Sequence, residues 1–81
     1  MKKGEIIKLY KRLYDGKNWG EGEPNYFLGE FNITKVLMED VYSGKWLAEK
    51  DGKSYMIIQS EVSGMNNPQN GGSRFEVVDL T

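Results

Sequence analysis

The side chains of this chain that could do chemistry are twelve carboxylates and eleven lysines and arginines, with no histidine and no cysteine. Without histidine, the side chain whose ordinary pKa suits acid–base work near neutrality is missing. Without cysteine, thiol catalysis and the usual zinc sites are excluded. No serine stands in Gly-x-Ser-x-Gly, and Gly20-Glu21-Gly22-Glu23 is too short for a dinucleotide fingerprint. Glu39 and Asp40 are adjacent, so on a strand they point to opposite faces, and Glu49 and Asp51 flank a turn. Neither pair faces a common cleft as a glycosidase pair must, and no run of alternating acidic ligands would hold calcium. The composition therefore leads us to expect a protein that is not an enzyme, with no catalytic residue, no metal and no cofactor.

What remains is recognition chemistry. Trp19, Glu21, Glu23 and Tyr26 lie in or beside a stretch (16–25) carrying three glycines and Pro24. Tryptophan and tyrosine dominate many protein–protein contacts. The stretch from Ser63 to Ser73 is rich in asparagine and glycine and reads as a surface loop. Asn66, Asn67 and Gln69, with Arg74 just after it, could grip a peptide backbone or an anion. Together these eight residues form the expected partner-binding surface, with another protein as the partner. The rival is nucleic-acid or nucleotide binding, through Lys8, Lys11 and Arg12 or through Arg74 and its glycine loop. Net charge is −1, but residues 1–20 hold six basic side chains against two acidic, and the rest hold five against ten. A basic head on an acidic body keeps both readings open.

These residues need a scaffold. Residues 4–15 fit an amphipathic helix: Ile6, Ile7, Leu9, Tyr10, Leu13 and Tyr14 fall within an apolar arc of about 160°. Gly16 would stop it. As a strand, the same stretch would put Lys11 in line with Ile7, Leu9 and Leu13. Tyr26 to Phe31 reads as a short strand with Gly29 as a bend.

From Ile33 to Gln59 the pattern is a three-stranded meander with turns at Ser43-Gly44 and Asp51-Gly52, the latter a strong hairpin signal. The Asp51-Gly52 turn would pair Lys50 with Lys53, Ala48 with Tyr55 and Trp46 with Ile57. The Ser43-Gly44 turn would pair Tyr42 with Lys45 and Val41 with Trp46. One face then gathers Ile33, Leu37, Val41, Trp46, Ala48, Tyr55 and Ile57. A helix capped by Asn32 over 32–42 competes with the first of these strands. Arg74 to Leu80 reads as a last strand.

The expected fold is α+β: one small domain, residues 1–81, in which an N-terminal amphipathic helix packs on a four- to five-stranded antiparallel sheet. A small barrel with a strand as its first segment is the alternative. An exposed edge strand would offer a route to a homodimer. The N-terminal lysines are not followed by an apolar run, so no signal peptide is read, and no apolar run is long enough for a membrane span. Lack of cysteine suits a reducing cytoplasm. By association, very small acidic domains without catalytic groups occur among phage and mobile-element proteins that block host machinery. The expected role is thus a cytoplasmic, intracellular accessory or inhibitor protein acting by protein binding.

Overall fold

A computed structural model of the chain describes residues 1–11, 26–40, 43–62 and 72–81. Its described part is all sheet. Five strands, β1 (Ile6–Tyr10), β2 (Phe27–Glu39), β3 (Gly44–Lys50), β4 (Lys53–Val62) and β5 (Gly72–Asp79), pair antiparallel in sequence order and curl into a half-barrel.

The expected α+β fold with an N-terminal helix is therefore incorrect. Residues 6–10 are a strand paired with β2, Ile7 opposite Phe31 and Leu9 opposite Gly29. Apolar residues at positions 6, 7, 9 and 10 satisfy both a helical arc and a two-residue alternation. Pairing decides between them: Leu9 is buried and Ile7 half-buried on the core side, while Ile6, Lys8 and Tyr10 face out. Gly4, at φ 88°, lets the chain turn into the strand, and its N–H donates to the Ile33 carbonyl. The alternative reading, a small barrel beginning with a strand, is the one that agrees. Residues 12–15 of the expected helix lie outside the described residues.

The Asp51-Gly52 hairpin forms as the sequence implied. Both turn residues have positive φ, 54° and 77°, as a type I′ turn requires. Lys50–Lys53, Ala48–Tyr55 and Trp46–Ile57 are partners. The other turn differs. Glu39 pairs with Gly44 and Trp46 with Val36, so the connection spans 40–43, and the Asp40 N–H donates to the Ser43 carbonyl. Two register shifts in β2, between Ile33 and Lys35 and between Val36 and Met38, account for the change. Each inserts an extra residue, bends the strand and resets which side chains face in. Leu37, expected in the core, is consequently 43% exposed. The competing helix at 32–42 is absent through Asp40; β2 is one strand of 13 residues that also takes in the expected short strand before it.

The bending of β2 explains how five strands enclose a core without a helix. Leu9, Phe31, Ile33, Trp46, Ala48, Ile57 and Phe75 are buried on the inner face. Phe31 meets Tyr55 edge-on at 5.6 Å between ring centroids, and Trp46 meets Phe75 at 6.4 Å. Within this apolar layer Gln59 and Ser73 are also buried, and the Gln59 amide donates to Ser73 Oγ at 2.7 Å. The pair links β4 to β5 by a side-chain bond inside the apolar layer. Gly72 and Ser73, expected in a loop, are thus strand residues. Gln59→Leu is expected to destabilise by about 1–3 kcal/mol because it leaves the Ser73 hydroxyl without this partner. Gln59→Leu with Ser73→Ala should recover part of that loss in urea unfolding.

The end of β5 shows a second local lock. The Thr81 N–H donates to Asp79 Oδ1 at 2.9 Å, and this bond with that of the Thr81 hydroxyl holds the Asp79 carboxyl below its ordinary pKa of 3.8. A carboxyl lowered on folding contributes stability above its unfolded pKa and loses it as pH falls through the folded value. Asp79→Asn should therefore flatten the acid limb of the stability profile below about pH 4 and leave stability near neutrality little changed in slope.

Candidate functional site

The half-barrel is drawn together at Lys11. Its N–H donates to the Tyr26 carbonyl at 2.7 Å, and its own carbonyl accepts from the Phe75 N–H at 2.8 Å. Tyr26 precedes one end of β2, whereas Phe75 is in register with Gln59, Gly44 and Glu39 at the other end. For one residue to reach both, the strands must tilt strongly, as in any small barrel. This seam joins the start of β2, the end of β1 and the middle of β5.

Aromatic side chains collect on the outside of the seam. Tyr10, Tyr26 and Phe27 are 43%, 57% and 56% exposed. Tyr10 and Phe27 are cross-strand partners, with ring centroids 5.1 Å apart and planes inclined at 58°. Lys11 Nζ lies over the Tyr26 ring, 5.8 Å from its centroid. Arg74 is half-buried and precedes Phe75, whose amide makes the seam bond. The arrangement is a ledge of three rings with a lysine held on one of them and an arginine on the adjoining strand. Such rings offer large contact area at low entropic cost, and flanking cations add directional contacts to π faces or to acidic groups.

The candidate residues read from the sequence divide accordingly. Tyr26 and Arg74, from the partner-binding set, are brought to one seam, and Lys11, from the nucleic-acid set, joins them. Lys8 does not belong to a basic helical face, because that helix does not form. It faces outward on β1 opposite Glu30. Trp19, Glu21, Glu23, Asn66, Asn67, Gln69 and Arg12 lie outside the described residues.

Tyr10 and Phe27 were missed. The helical arc places Tyr10 among the apolar residues of the stripe, and no sequence motif singles out Phe27. The available signal was the repetition of an aromatic at each strand end, Tyr10-Lys11 and Tyr26-Phe27, just beside the glycine-rich stretch.

Among the described residues, no three acidic side chains group as metal ligands would. No helix there is long and apolar enough to cross a membrane. No family model, curated protein or solved structure matches the chain.

Proposed function

We propose that the protein is a non-enzymatic binding module that engages another protein through the seam of Tyr10, Tyr26, Phe27 and Lys11, with Arg74 beside it. The observation that carries this reading is the exposure of three large rings in a chain small enough to need its aromatics inside. The Tyr10–Phe27 contact and the lysine over Tyr26 set the ring positions before a partner arrives. Less conformational freedom is then lost on binding. The absence of histidine and cysteine from the sequence supports the non-enzymatic part, and the lack of cysteine fits a reducing intracellular setting. An accessory or inhibitory role on a cellular protein is the corresponding biology.

A second reading is favoured by one feature, Lys11 over an exposed ring with Arg74 on the adjoining strand, which also suits stacking of single-stranded nucleic acid. Net charge of −1 and the outward Glu30 and Glu76 weigh against a polyanion. The two separate experimentally. Tyr26→Ala combined with Phe27→Ala should remove the captured protein from a pull-down and weaken the purified pair at least about tenfold, as loss of aromatic anchors does. Urea unfolding should change little, since both rings are exposed. A nucleic-acid binder would instead lose affinity steeply with rising salt. Unchanged capture by the double variant would refute the seam as the contact.

A further inference from the structure

The outer face of the sheet beside the seam carries a second pattern. Lys35, Leu47, Met56 and Val78 form one row across β2 to β5, and Met38, Lys45, Ile58 and Glu76 form the next. Leu47, Met56 and Ile58 are half-buried at the centre, and Val78 is 42% exposed. The apolar strip therefore has two lysines, Lys35 and Lys45, on its β2–β3 side and one glutamate, Glu76, on its β5 side. Elsewhere on the sheet, the Met1 ammonium pairs with Glu39 at 2.9 Å. Lys45 and Glu76 stand on strands separated by β4, each opposite Ile58.

We infer that this strip is the contact between two copies of the chain. A two-fold axis parallel to the strands, passing between β3 and β4, lays β2 of one copy over β5 of the other. That operation places Leu47 against Met56 of the second copy and brings Lys35 and Lys45 within reach of its Glu76, and the reverse by symmetry. Charges that β4 separates within a chain are brought together between chains, around an apolar centre that loses water. Sheets packed face to face in this way interdigitate their side chains at about 10 Å. The contact borders the seam, since Glu76 stands two residues from Arg74 on the same outward side of β5.

The test is the solution mass of the full chain by light scattering across micromolar concentrations. The expected result is a species of twice the 9.3 kDa chain mass. Glu76→Lys should weaken association at least about tenfold by opposing like charges. The combined Lys35→Glu, Lys45→Glu, Glu76→Lys variant should restore it. In a mixed-label sample, contacts between Leu47 and Met56 methyl groups of different chains should appear, a readout needing no substitution. A monomer at every concentration would overturn the proposal. So would a dimer indifferent to Glu76→Lys, as pairing through an edge strand would be.

Discussion

Trp46→Ala should destabilise the protein by about 3–5 kcal/mol, the usual cost of deleting a buried aromatic. For a domain of this size, total stability is on the order of 4–12 kcal/mol, so the variant should lose a quarter or more of its stability. Trp46 is 2% exposed and sits in the middle of the inner face, between Val36 and Ile57 on the neighbouring strands. It also makes the ring contact with Phe75, and Phe75 supplies the amide that holds the seam. Losing the indole therefore loosens the core and the support under the binding ledge together. Urea unfolding measures the first effect. Exchange of the Phe75 amide, faster in the variant than global unfolding alone allows, measures the second.

Gly44→Val should be nearly as damaging, for the opposite reason. A Cβ at position 44 would overlap the Trp46 ring, lying 2.8 Å from Cζ2, and would stand 2.9 Å from the Met38 carbonyl oxygen. Overfilling a packed site commonly costs about 1–3 kcal/mol, and a branched side chain against both ring and backbone falls at or above the top of that range. The two obstacles can be separated. Gly44→Ala with Trp46→Phe should recover only part of the loss from Gly44→Ala, because the smaller ring yields space and the Met38 carbonyl does not. A double-mutant cycle in urea gives the coupling, and full recovery would show that the backbone contact is not limiting.

The legible parts of the fold were those set by short-range chemistry. Asp51-Gly52 fixed a turn through the positive φ of both residues, and the turn fixed the β3–β4 register and both faces of that hairpin. The first segment was ambiguous because Ile6, Ile7, Leu9 and Tyr10 fit two periods. The strand reading places Lys11 on the apolar side, yet the strand ends at Tyr10 and Lys11, just beyond it, carries its ammonium over Tyr26. The shifts in β2 have no local signature, so the sequence pattern alone places Leu37 on the core face. At the site, Tyr26 and Arg74 were recognised as residue types suited to recognition. That Lys11 would join them was not readable, since it depends on a backbone bond between the end of β1 and the middle of β5. Tyr10 was hidden by the helical assignment itself.

The seam at Lys11 underlies both the fold and the proposed contact surface, and amide NMR of the full chain tests it most directly. The account predicts extended-strand chemical shifts for residues 6–10, a cross-strand contact between Lys11 and Phe75, and slow exchange of the Phe75 amide. Helical shifts over residues 6–10, or a Phe75 amide that exchanges as freely as an open strand edge, would contradict it.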